Sequence, residues 1–122
     1  MANILVIDDD EQFRGMLVQM LTLDAHHVSI ATDGEMGLNM LERSTPDLII
    51  TDILMPKLDG IDFILELARR HISVPVIAVS GGRRSISADF NLESATLLGV
   101  KATLSKPFVR EDLRRALVKA LA

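Results

Sequence analysis

The chain has 122 residues, a formal charge of −4 and no cysteine. This length supports one domain with a real core and is too short for two, and without cysteine neither a disulfide framework nor a thiolate metal site is available. The acidic balance argues against direct nucleic-acid binding by the domain, no apolar stretch approaches the length of a membrane span, and Met1-Ala2-Asn3 lacks the charged and apolar regions of a secretory signal, so a cytoplasmic protein without a membrane partner is expected.

Short apolar runs alternate with longer amphipathic ones. Ile4–Ile7 reads as a strand, and Phe13, Met16, Leu17, Met20 and Leu21 then follow helical spacing, with Asp9 or Asp10 as the cap and Glu11 in the first turn. His27–Ala31 alternates as a second strand. Asp33-Gly34-Glu35 opens a helix through about Arg43, and Pro46 ends the connection to a third strand, Leu48–Asp52. Asp59-Gly60 starts a helix carrying Ile61, Ile64, Leu65 and Ala68. Val74–Val79 is a fourth strand, with Pro75 near its start, where proline is tolerated. The polar stretch Ser80–Ser87 precedes a helix from about Ala88 to Leu98, stopped by Gly99. Val100–Leu104 reads as a fifth strand and Arg110–Leu121 as a last amphipathic helix. Such an alternation implies an α/β fold, a parallel sheet covered on both faces and built from right-handed crossovers. Ligands of these sheets bind outside the carboxyl ends of the strands.

The chemistry gathers at those ends. Asn3–Ile7 runs into Asp8-Asp9-Asp10, the apolar run Asp47–Thr51 into Asp52, and Ala102–Ser105 into Lys106-Pro107-Phe108, while Ser80 follows the fourth strand. A carboxylate at the end of an apolar strand is costly to bury and calls for a reason. Carboxylates brought together raise one another's pKa unless a cation joins them, and oxygen donors without His or Cys point to magnesium, with manganese as the alternative. Lys106 offers a point charge to a phosphoryl oxygen and Ser80 a hydroxyl. Asp52 can serve as an in-line nucleophile, since carboxylates form acyl phosphates. Taken singly, each residue has a plainer reading: Asp9 or Asp10 as a helix cap, Lys106 as a surface lysine, Ser80-Gly81-Gly82 as a turn. Their joint placement at the right ends of the right strands favours the chemical one.

With Asp8-Asp9, Asp52-Ile53-Leu54-Met55-Pro56, Asp59-Gly60, Ser80 and Lys106-Pro107-Phe108 in place, the chain resembles a response-regulator receiver domain, the phosphoacceptor module of two-component signalling, over residues 1–122. The resemblance implies a flavodoxin-like, chemotaxis-receiver-like fold with strand order 2-1-3-4-5 and five helices. It implies Asp52 as the phosphorylated aspartate, and Asp8, Asp9, Asp52 and the backbone carbonyl of Leu54 as holders of Mg2+. Ser80 and Lys106 would hold the phosphoryl group, and the Lys106–Pro107 bond would be cis. A histidine kinase or histidine phosphotransfer protein would be the donor and a downstream protein target or output domain the recipient of the signal. Self-catalysed phosphoryl acceptance and slow autodephosphorylation would be its only chemistry, short of an enzyme's turnover. Met1 is expected to mark a stand-alone receiver or the N-terminal domain of a longer regulator.

Two features depart from the family pattern. The aromatic switch residue three positions before the lysine is replaced by Thr103, and the segment from Ser80 to Lys106 is longer than usual, with the extra length in Gly81–Ser87. Activation is therefore expected to reorganise that loop rather than swing a ring. Two readings from other classes compete. A haloacid-dehalogenase-type phosphatase would carry a second Asp two residues after the nucleophile, where this chain has Leu54; a flavodoxin-like electron carrier would carry a Ser/Thr/Gly-rich phosphate loop where this chain has Asp8-Asp9-Asp10. The doublets Arg69-Arg70, Arg83-Arg84 and Arg114-Arg115 are scattered and read as solvated positions. With four Phe and neither Tyr nor Trp, the chain presents no base-stacking platform.

Overall fold

The computed structural model describes residues 1–53, 60–81 and 100–122. In chain order they form β1 (Asn3–Ile7), α1 (Glu11–Leu23), β2 (His27–Ala31), α2 (Gly34–Leu41), β3 (Leu48–Asp52), α3 (Gly60–Arg69), β4 (Val76–Gly81), β5 (Ala102–Lys106) and α4 (Arg110–Leu121). The five strands make one parallel sheet in the order β2-β1-β3-β4-β5, the flavodoxin-like arrangement expected. Four helices are counted among the described residues, and the helix expected over 88–98 lies outside them. Among the described residues no helix is long and apolar enough to cross a membrane.

Strand periodicity builds the two cores. Successive side chains of a strand point to opposite faces. Ile4 and Val6 of β1, Leu48 and Ile50 of β3, and Ile77 and Val79 of β4 therefore share one face, closed by Leu17 and Leu21 of α1 and Leu113 and Leu117 of α4. Leu5, Ile7, Ile49 and Val76 face the other way, onto Leu38 of α2 and Phe63, Ile64 and Leu67 of α3. Central strands buried on both faces become continuous apolar runs, as Leu48–Ile50 are in β3, a strand buried from end to end.

Local signals set the helix ends. Asp10, not Asp9, caps α1, its Oδ1 accepting the backbone N–H groups of Gln12 and Phe13 at 3.0 and 3.2 Å. Asp33 caps α2 through Met36 N–H at 2.8 Å. At α4 the Asp112 carboxylate reaches back to the Val109 N–H at 3.1 Å. Helices α1 and α3 run out into left-handed residues that are not glycine, Ala25 at φ 67° and His71 at φ 58°.

Several boundaries differ from expectation because ladder pairing, rather than hydrophobicity, ends a strand. Pro75 stands just before β4, and its carbonyl still accepts from Ile49 N–H at 3.0 Å. The ladder between β4 and β5 continues through Ser80↔Ser105 and Gly81↔Lys106. Both strands thus start later and end later than the apolar runs, and Ser80 and Lys106 lie within the sheet's last rungs. Helix α2 stops at Leu41, short of Arg43.

Candidate functional site

The strand order reverses beside β1: the chain passes from β1 out to β2, then returns to β3 on the other side. The carboxyl ends of β1 and β3 are therefore neighbours, with Ile7 opposite Thr51. The next residue of each strand is an aspartate, and both Asp8 and Asp52 are buried. Oxygens of Asp8, Asp9 and Asp52 all lie within 4.8 Å of one another.

Each group is pinned by its own element. The Asp8 backbone N–H donates to the Ala31 carbonyl of β2 at 3.1 Å, and the Asp8 carbonyl accepts from Arg14 Nη1 of α1 at 2.9 Å. Asp8 Oδ1 takes the Asp10 N–H at 2.8 Å. The acidic run thus divides its work, with Asp8 turned into the site and Asp10 capping the helix that follows. Thr51 Oγ1 donates to the Asp52 carbonyl at 3.0 Å, and Ile53 N–H to the Val79 carbonyl at 2.9 Å. Gly60 packs against the backbone at the end of β3: its N–H donates to the Ile53 carbonyl at 2.7 Å, and a Cβ there would fall against the Asp52 carbonyl oxygen and 2.6 Å from Ile53 Cα. Only glycine admits so close an approach of two backbones.

Lys106 enters from the end of β5. Its Nζ stands 3.2 Å from Asp8 Oδ2 and 3.3 Å from Asp52 Oδ2, with the side chain 17% exposed. The peptide bond to Pro107 is cis. Burial pushes the Asp8 carboxyl above its ordinary range, against the lowering pull of the Asp10 N–H and Lys106, and the neighbouring Asp9 charge adds to the rise. The Ser80 hydroxyl is fully buried and has no hydrogen-bond partner among the described residues. Asp8, Asp9 and Asp52 fit a hard divalent cation: their oxygens converge, and the raised Asp8 pKa shows that burial holds its charge at a cost a cation would offset.

The site residues inferred from the chain are thus brought to one end of the sheet, Leu54 and residues 82–87 excepted, which lie outside the described residues. Thr103 is exposed on β5. Two contributors have only a faint signature in the linear chain. Phe13 places its ring under Lys106, whose Nζ is 3.9 Å from the ring centroid, and Phe108 meets that ring edge to face at 5.6 Å. Arg14 holds the Asp8 carbonyl. The faint signal available was two of four phenylalanines placed next to the acidic run and the lysine.

A family model for the response regulator receiver domain matches residues 4–118. The chain belongs to that family. It is 35% identical over 113 residues to the transcriptional regulatory protein CpxR of Klebsiella pneumoniae, covering 93% of this chain and 46% of that protein. It is 33% identical over 119 residues to the alkaline phosphatase synthesis transcriptional regulatory protein PhoP of Bacillus subtilis, covering 98% and 48%. The chain therefore spans about half the length of the curated relatives it matches. Among solved structures, a response regulator receiver domain protein from Clostridium thermocellum superposes with a TM-score of 0.88 at 30% identity, over 99% of this chain and 94% of that one. The molecule is a receiver domain of the two-component response-regulator type.

Proposed function

We propose that this receiver domain is a phosphoacceptor switch in which Asp52 takes a phosphoryl group from a phosphohistidine of a histidine kinase or histidine phosphotransfer protein. The observation that carries this reading is the buried Asp52 carboxylate at the end of β3, 3.3 Å from Lys106 and gathered with Asp8 and Asp9. An Asp52 oxygen attacks phosphorus, the bond to the donor imidazole nitrogen breaks, and its electron pair stays with the imidazole, which takes up a proton. Lys106 meets the charge on the transferring oxygens, and the unpartnered Ser80 hydroxyl is a donor for another of them. Asp8, Asp9, Asp52 and the carbonyl of Leu54 would hold Mg2+, or Mn2+ in its place. Such an ion, when bound, offsets negative charge on the carboxylates and the phosphoryl oxygens.

The domain's own chemistry is self-catalysed acceptance and slow autodephosphorylation, not enzymatic turnover of a substrate. Its partners are the phosphodonor and a downstream protein target or output domain. The domain itself contacts neither nucleic acid nor membrane, and its place is the cytoplasm. Intact-mass measurement after treatment with acetyl phosphate and Mg2+ tests the assignment. Single phosphorylation is expected in the parent protein and none in Asp52→Asn; full labelling of the variant would sink it.

A further inference from the structure

We propose that Phe13 is a positioning residue for Lys106: its ring face, buttressed by Phe108, holds the lysine ammonium between Asp8 and Asp52. The inference rests on the phosphoacceptor reading and adds to it a residue with no polar atom in its side chain.

A lysine is a poor instrument for aiming a charge. Its four-carbon stem has several torsions, and ordering it costs much rotamer entropy. Lys106 is nevertheless 3.2 and 3.3 Å from two carboxylates on two different strands. Those carboxylates cannot hold it through the reaction, because both change: the attacking Asp52 oxygen becomes the bridging oxygen of an acyl phosphate, and Asp8 would turn its oxygens toward a cation. The Phe13 ring is chemically the same before and after. Its centroid lies 3.9 Å from Nζ, well inside the roughly 6 Å over which a ring quadrupole attracts a cation.

The ring is itself firmly seated. Phe13 is in the first turn of α1, its N–H held by the Asp10 cap, and Phe108 meets it edge to face at 83°. Lys106 and Phe108 flank Pro107, so the end of β5 delivers both the charge and the buttress to one ring. The neighbouring Arg14 fixes the Asp8 carbonyl. One turn of α1 therefore locates the lysine and one of its carboxylate partners together. The plain alternative is that Phe13 only fills the core against which it packs.

Fluorinated phenylalanines at position 13 separate the two, since they keep the ring's shape while draining its face of negative charge. In the full chain, mono- through tetrafluoro-Phe13 should slow Asp52 labelling by acetyl phosphate in graded steps, reaching about fivefold, with thermal unfolding little changed. Side-chain NMR relaxation of Lys106 without any phosphodonor supplies a second readout, and its order should fall along the same series. Equal labelling rates and equal Lys106 order across the series would overturn the inference. Should the parent protein fail to label at Asp52, the phosphoacceptor reading falls, while the relaxation series still decides the positioning role.

Discussion

The ion cluster on α3 and the acid–lysine group at the carboxyl end of the sheet are built from the same kinds of side chain and behave oppositely. On α3, Glu66 accepts from Arg69 at 2.9 and 2.5 Å and from Arg70 at 2.7 Å, and Arg70 reaches on to Glu42 at 3.6 Å. The two arginines pull the Glu66 carboxyl down to about 2. At the sheet end, contacts to Lys106 are longer and the carboxylates are buried, and burial pushes Asp8 up in spite of its ammonium partner. Close contact at the surface favours the charged state cheaply, whereas buried charge must overcome desolvation before any pairing counts. The α3 cluster thus favours the fold, and at the sheet end Asp8 holds its charge against the fold's preference. Strain of that second kind belongs at functional sites.

The largest test of the contrast removes one cation from each region. Lys106→Ala should slow Asp52 labelling by acetyl phosphate by roughly a hundredfold, the scale set by losing one oriented charge near a transferring group. Arg69→Ala should leave labelling unchanged, because that guanidinium is exposed at the last residue of α3, which leads to the amino end of β4 and not to the carboxyl ends that carry the site. Labelling of Lys106→Ala at the parent rate would remove the lysine from the phosphoryl site.

A smaller effect appears in stability and has the opposite sign from most substitutions. Asp8→Asn should stabilise the protein in chelator by on the order of 1 kcal/mol at neutral pH. Asp8 has its folded pKa above its unfolded value, so the folded state binds the extra proton between the two. Stability then falls as pH rises through that window and stays lower above it. Denaturant unfolding in chelator should show this decline in the parent and not in Asp8→Asn. A variant less stable than the parent above the window would mean that the Lys106 contact outweighs burial at Asp8.

What could be read in the chain follows the same division between local and assembled features. Asp8 and Asp52 stand out because each closes a largely apolar run, and a charge at such a place is visible in one dimension; Lys106, which follows the polar Ser105, stands out only beside them. Strands β1 and β3 were legible for the same reason. The ends of β4 and β5 were not, since Ser80, Ser105 and Lys106 are kept in the sheet by partners on the neighbouring strand. Asp9 and Asp10 were equivalent as caps until the turn of α1 chose Asp10. Phe13 looks like any apolar helix position; only the fold sets its ring under a lysine from the other end of the chain. Gly60 reads in the chain only as the start of a helix, and its closeness to the Asp52 carbonyl is a fact of packing.

The smallest expected effect lies at the surface and at acid pH. Glu66 ordinarily titrates near 4.5 and is lowered to about 2 by the Arg69 and Arg70 hydrogen bonds. Its folded pKa is below its unfolded one, so its contribution is fully present above the unfolded value and is lost as pH falls through about 2. Asp24, held down chiefly by Arg110 and also by Arg114, and Asp112, held down first by the Val109 N–H and then by Arg115, act in the same direction. The acid limb of the stability curve should therefore slope upward with pH where the Asp8 limb slopes downward. Glu66→Gln should flatten that acid limb in part, leaving the share of Asp24 and Asp112, and should not alter the Asp8 limb above it. Raising the salt should shrink the difference between parent and variant, because these pairs are exposed to screening. Acid limbs that coincide for parent and Glu66→Gln at low salt would show that the short arginine contacts on α3 contribute nothing to the fold, and the contrast with the sheet end would then rest on burial alone.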